Sequence, residues 1–289
     1  MKERSFDAIL VVAGDDYKNI NVVIESVKKF IEPDIVYIIS PYKDLQKNKK
    51  NIEVYDFVKL VDENDVLNIQ DVNFDDCHIP GMPERRFWYY QQFLKLGFGL
   101  TNISTKEHYL IWDADTVPIK EIEFFSNDGR IFLTESDYEY HFDYFKNIKY
   151  LLGDIKLHNK SFISQHLMVN KVHLKSFMRE LKKSSDLSWY NFIVSSLRGS
   201  SQSLFSEYET FSNYVINRFI ENYEVREVSW FRHANCLNVN VQNLELLASY
   251  YSYVSLEKFD VGLFRCVYFK FRHFINIFRS GHSSRLTRR

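Results

Sequence analysis

Two acidic residues, Asp113 and Asp115, flank the small Ala114 directly after the apolar and aromatic run Tyr109-Leu110-Ile111-Trp112. In extended backbone, side chains two apart point to the same side. The spacing therefore predicts two carboxylates projecting together from a strand's end. Left bare, they would repel each other and cost folding energy. A hard divalent cation removes that cost. Mg²⁺ or Mn²⁺ prefers oxygen ligands, commonly one or two carboxylates completed by substrate phosphates. An acidic pair also caps turns. The apolar run before this one and the strand–helix alternation upstream favour the cation. Thr116-Val117-Pro118 is expected to leave the sheet, because proline lacks the donor a central strand needs.

Other residues could share the chemistry. Ser206 opens an apolar-periodic stretch over residues 204–218, and Glu209, three residues on, fits a capping box. Glu207, at the helix mouth and free of that duty, is the candidate general base. His233 follows a late strand and could give a nitrogen ligand to the same ion or touch a diphosphate. Arg85 and Arg86 begin a helix over residues 84–96, and Lys95 lies near its end. They are read either as surface charges or as partners for a phosphate or carboxylate. His166 is read either as a hydrogen-bonding residue of the sheet or as an acceptor contact.

The elements that must carry these residues follow from periodicity. Residues 6–13 and 34–40 read as buried strands, with a helix over 17–30 between them and a weaker third strand at 52–58. A strand over 130–134, a mixed strand over 161–170, a basic helix over 172–183 and a late strand over 224–231 come later. This is an α/β pattern with right-handed crossovers. Ligands in such sheets sit at the carboxyl ends of the strands, which puts residues 13–16 on the same rim as the acidic pair. Neither GxGxxG nor a Walker A sequence follows the first strand, which argues against a dinucleotide oxidoreductase and a P-loop NTPase.

With 289 residues and 45% hydrophobic content, the chain can bury a sizeable core. A net charge of −1 gives no field to draw nucleic acid. Cys77, Cys236 and Cys266 form neither a disulfide framework nor a zinc pattern and suit a reducing cytosol. No secretory h-region or membrane span is read in the sequence. Residues 259–289 differ from the rest: aromatic residues at helical spacing interleave with arginines. This is read as a basic amphipathic tail, packed back on residues 1–258 or lying at a membrane surface.

The pattern resembles a GT-A glycosyltransferase: a mixed central sheet flanked by helices, here with a C-terminal helical extension. The likeness rests on the strand–helix start, on Trp112-Asp113-Ala114-Asp115 as a DXD motif, and on Ser206-Glu207-Tyr208-Glu209 opening a late helix. It is also similar to a bacterial group found with surface-polysaccharide genes. The resemblance implies that Asp113, Asp115 and His233 hold Mn²⁺ or Mg²⁺ against the diphosphate of a nucleotide sugar, such as a UDP-sugar. It implies donor contacts from Ala13, Gly14, Asp15, Trp112 and Ala114, and from the basic residues Arg85, Arg86 and Lys95. His166 and Glu209 would meet a glycan or lipid-linked acceptor. Glu207 would be the base of an inverting reaction, at the cytoplasmic membrane face. The commoner form of that motif is Glu-Asp. Retention, a nucleotidyltransferase and a non-catalytic membrane-associated scaffold are the alternatives. The acidic Gly14-Asp15-Asp16 loop, with its single glycine, counts against the nucleotidyltransferase.

Overall fold

The structure, a computed structural model, describes residues 5–76, 79, 81–183, 185–232, 234, 244 and 247–257. The strands are β1 (Asp7–Val11), β2 (Val36–Ser40), β3 (Val58–Asp62), β4 (His108–Trp112), β5 (Thr116–Pro118), β6 (Ile131–Glu135), β7 (His166–Asn170), β8 (Tyr223–Glu227), β9 (Trp230–Phe231) and β10 (Tyr253–Ser255). The helices are α1 (Ile20–Phe30), α2 (Tyr42–Ile52), α3 (Glu63–Val66), α4 (Met82–Gly97), α5 (Phe142–Leu152), α6 (Lys171–Lys182), α7 (Trp189–Ser196) and α8 (Glu207–Arg218). The chain divides into two compact units. Among the described residues, those within 5–17, 33–113 and 124–227 form the first, and those within 18–32, 114–123 and 228–257 the second.

The first unit holds a five-stranded sheet in the order β3-β2-β1-β4-β7. Its first four strands are parallel, and β7 runs antiparallel to β4. The middle strands read DAILV, VYIIS and HYLIW and are almost wholly buried. Near-continuous apolar runs of this kind belong to strands covered on both faces. The register pairs Ile9 with Ile111 and Trp112 with His166. Strands β6 and β8 pair separately as a parallel two-stranded sheet.

Two expectations need correction. A strand was expected at residues 52–58. The chain instead forms α2 up to Ile52, and the strand begins only at Val58. The segment YKDLQKNKKNI is rich in the straight-chain residues that favour helix, and Leu45 and Ile52, seven apart, are its buried residues. The start is therefore β-α-β-α-β. Pro118 does leave the central sheet, but Thr116–Pro118 is itself a strand. In the second unit, β5 pairs antiparallel with β10, which pairs with β9. Strand β5 lies at the edge of that sheet, where a residue without a donor is tolerated. Helix α7 had no counterpart among the expected elements. The 259–289 tail lies outside the described residues.

Among the described residues, no helix is long and apolar enough to cross a membrane.

One close approach governs how α4 meets the sheet. A short 3₁₀ turn, Phe98–Leu100, follows α4. A Cβ on Gly99 would sit 2.4 Å from Leu174 Cδ2 and 2.6 Å from Tyr109 Cε1. Tyr109 is fully buried, so its ring cannot yield. Gly99→Ala is expected to cost about 1–3 kcal/mol of stability through overpacking, seen as a lowered midpoint in chemical denaturation. An unchanged midpoint would show that the turn can move aside.

Candidate functional site

The site is assembled from three elements of the first unit: the C-terminal turn of α4, the end of β4 and the first turn of α8. Each is fixed by contacts outside the site itself. The Tyr109 hydroxyl on β4 donates to the main-chain oxygen of Lys95 at 2.9 Å, tying the end of α4 to the strand. The Asp113 N–H donates to the Gln165 oxygen at 3.0 Å, fixing the backbone where β4 stops. The Ser206 hydroxyl caps α8 by accepting from the Glu209 N–H at 3.3 Å. Gln92, one turn before Lys95, accepts from the Glu207 N–H at 3.1 Å.

These anchors bring four side chains together. The Lys95 Nζ lies 2.6 Å from Asp113 Oδ1, 2.7 Å from Glu207 Oε1 and 3.3 Å from the Tyr208 hydroxyl. An ammonium has three protons to donate, and all three are accounted for. The Tyr208 hydroxyl in turn donates to Asp113 Oδ1 at 2.6 Å. Among the described residues, Asp113 Oδ2 accepts no hydrogen bond. Lys95 and Glu207 are buried, whereas the Asp113 side chain keeps 18% of its surface exposed. The open end of the cluster is thus the aspartate.

The electrostatics follow from that burial. Desolvation alone would push the Lys95 ammonium towards its neutral form, but Asp113 and Glu207 outweigh it and hold the group charged, above its usual range. Burial pushes the Glu207 carboxyl up. Lys95 pulls it back, Asp113 pushes it up further, and the net shift is upward. Lys95 had been read as a phosphate partner. Here its protons go to two carboxylates and a phenol.

The other expected residues take separate places. Glu209 is fully buried. It accepts from the Phe162 N–H at 2.8 Å and the Ser161 hydroxyl at 3.0 Å, and it pairs with Lys156. Its carboxylate therefore braces the chain ahead of β7, where a reciprocal cap on Ser206 and an acceptor contact had been read. His166 lies inside the packing as well, stacked on the Trp112 ring at 5.3 Å, with its Nε2 3.0 Å from the Thr134 hydroxyl. Trp112 is fully buried, so its ring is a floor beneath β4 and no surface for a ligand. The Arg85 guanidinium stacks on Trp88 and donates to the Ser203 hydroxyl at 2.9 Å, and the exposed Arg86 stacks on Phe87. Ala13, Gly14 and Asp15 form an exposed turn after β1, where the Gly14 N–H donates to Asp44 at 2.8 Å. In the second unit, Ala114 is buried and Asp115 half-buried, with its main-chain oxygen accepting from the Leu256 N–H at 2.8 Å. His233 lies outside the described residues.

Tyr208 and Gln92 belong to the cluster and were not singled out from the sequence. The one available signal for Tyr208 was its place directly after the candidate base.

The described residues contain no group of three or more acidic, histidine or cysteine side chains able to hold a metal. An ion held by one or two carboxylates and completed by phosphate oxygens does fit, because Asp113 keeps one oxygen unused and the donors are oxygens only.

A family profile described as a family of unknown function, DUF6492, matches residues 4–261, and the chain belongs to that family. No curated protein matches it. Among solved structures, apo mouse xyloside xylosyltransferase 1 aligns over 90% of this chain and 99% of its own, at 10% identity and a TM-score of 0.53. That likeness is one of fold, the GT-A fold. The galactosyltransferase LgtC, solved with donor and acceptor sugar analogues, aligns over 86% of each chain at 12% identity with a TM-score of 0.48. An active-site mutant of LgtC gives 11% identity and 0.49, over 92% of this chain and 94% of its own. Both superpositions are too loose to add to the argument.

The buried histidine sets a pH dependence. Burial, and then the Arg226 charge, push the His166 imidazole down from 6.5 to about 3. In the unfolded chain it would protonate below about 6.5 while the folded chain keeps it neutral. Stability is therefore lost as pH falls from about 6.5, by up to about 1.4 kcal/mol per pH unit. His166→Phe is expected to flatten this slope between pH 6.5 and 5 in urea titrations. An unchanged slope would show that His166 binds a proton without unfolding.

Proposed function

We propose that this DUF6492 protein transfers a sugar from a nucleotide-sugar donor to the hydroxyl of a glycan or lipid-linked acceptor. The single observation that carries the reading is Asp113: a carboxylate at the carboxyl end of a central strand, pinned by Lys95 and Tyr208 and left with one free oxygen. Ligands of open α/β sheets gather at that rim, and the fold agrees with the motif. Asp113 and Asp115 hold Mn²⁺ or Mg²⁺ in this scheme, with His233 as a further ligand. The ion, when bound, neutralises charge growing on the departing diphosphate. The chain's own residues bind and orient. Ala13, Gly14, Asp15 and Ala114 meet the donor, which we take to be a UDP-sugar. Arg85 and Arg86, at the start of α4, lie where an anion would also feel the helix dipole. A role in bacterial surface polysaccharide synthesis, at the cytoplasmic face of the membrane, follows from the resemblance in sequence. The 259–289 tail is the segment proposed for membrane contact.

The stereochemical course turns on Glu207. As a base it would take the acceptor proton, and the sugar would be delivered with inversion. The 2.7 Å contact with Lys95, made in a buried setting, favours a second reading. There Glu207 serves as a counter-ion, and transfer proceeds with retention.

Incubation with a panel of nucleotide sugars and Mn²⁺ tests both. Transfer or hydrolysis of one donor is expected, abolished by a chelator. Asp113→Asn and Asp115→Asn should each lower the rate by about a hundredfold or more, the equivalent of several kcal/mol of lost charge stabilisation. The anomeric configuration of the product, read by proton NMR, then separates inversion from retention. No turnover of any donor, together with no cation-dependent nucleotide binding, would refute the transferase reading.

A further inference from the structure

We infer that Tyr208 is a positioning residue for cation binding at Asp113: with Lys95 it saturates one oxygen of that carboxylate, so that Oδ2 alone is offered to the ion. The inference rests on the transfer reading above and goes beyond it in naming what orients the ligand.

Successive side chains on a helix point about 100° apart. The first turn of α8 can thus send neighbouring residues to different partners: Glu207 goes to Lys95 and Tyr208 to Asp113. A phenol has a single proton to give, and Tyr208 gives it to Oδ1 at 2.6 Å. Lys95 gives a second proton to the same oxygen, also at 2.6 Å. Two donors fill the two lone pairs of Oδ1. The terminal torsion of an aspartate is otherwise broad, so a free Asp113 could present either oxygen or both. Held by two donors on one oxygen, it presents the other.

Charge explains why Lys95 can sit there. An ammonium 2.6 Å from a metal ligand would by itself repel a divalent cation. Glu207 lies 2.7 Å from the same ammonium and neutralises it. Lys95, Asp113 and Glu207 together carry a net charge of −1, that of a lone aspartate. Each residue of Ser206-Glu207-Tyr208 then has a task. The serine caps α8, the glutamate balances Lys95 and the tyrosine latches Asp113.

The test uses the full chain and Mn²⁺ alone, with binding followed by loss of the free-ion paramagnetic resonance signal. Tyr208→Phe keeps the ring and removes only the hydroxyl. It is expected to weaken Mn²⁺ binding by about tenfold, as is usual when a group that orients a metal ligand is lost, while the melting temperature stays close to that of the wild type. In assays, half-maximal activation should need more Mn²⁺, and the rate at saturating Mn²⁺ should recover. A second measurement needs no tyrosine variant. The infrared difference spectrum of Asp115→Asn on adding saturating Mn²⁺, in which Asp113 is the remaining carboxylate of the pair, should show the widely split stretches of a one-oxygen carboxylate ligand. A narrow, two-oxygen splitting would overturn the inference. So would Tyr208→Phe binding Mn²⁺ as tightly as the wild type; if Asp113→Asn still fails to bind, the transfer reading survives that result. Should Asp113→Asn itself bind Mn²⁺ like the wild type, the cation reading falls and this inference with it.

Discussion

One buried ammonium, that of Lys95, is shared between Asp113 and Glu207, and the candidate site depends on it. A charge taken out of water is costly unless it is paired and hydrogen-bonded. Lys95 satisfies that condition only when the end of α4, the end of β4 and the first turn of α8 meet. The first turn of α8 is 112 residues from Lys95 and the end of β4 only 18, and each element has its own anchor: Tyr109 on the Lys95 carbonyl, Gln165 on the Asp113 N–H, and Gln92 on the Glu207 N–H. Misplacing any one of them would strand a charge in the interior. The fold and the site are therefore held by the same contact.

That contact also sets the electrostatics of the site. Lys95 holds one oxygen of Glu207 at 2.7 Å, and burial leaves that carboxyl above its usual range. Asp113, the open member of the cluster, keeps an oxygen for an outside partner. In the proposed transfer a divalent ion and its phosphates would meet that oxygen, because they bring most of their own ligands.

The framework was legible where the sequence is one-sided. The runs DAILV, VYIIS and HYLIW could only be covered strands, and Ser206 announced the start of α8. Asp113 stood out because nothing but an acidic pair interrupts an apolar run so abruptly. The lysine-rich α2 was harder: its two buried residues are too few to mark a helix face, and the strand expected at 52–58 meets it only at Ile52. Pairings across the chain were not legible at all. Lys95 reads as a surface base until Asp113 and Glu207 are brought to it. Tyr208 reads as one more aromatic on a helix already rich in them. His166 and Glu209 looked like candidates for contact because polar residues usually face water. The fold buries both, with Thr134 against one ring nitrogen of His166 and the backbone at Phe162 against one oxygen of Glu209. Periodicity reports which side of an element is covered, and it is silent on what covers it.

The shared ammonium is tested most directly by a double-mutant cycle on unfolding free energy with Lys95→Met and Glu207→Gln. Breaking a buried pair from one side costs about 3–5 kcal/mol, whereas removing both charges relieves much of that. The double variant should therefore be markedly more stable than the sum of the two single losses allows. Strictly additive losses would contradict a buried pair at the centre of the site.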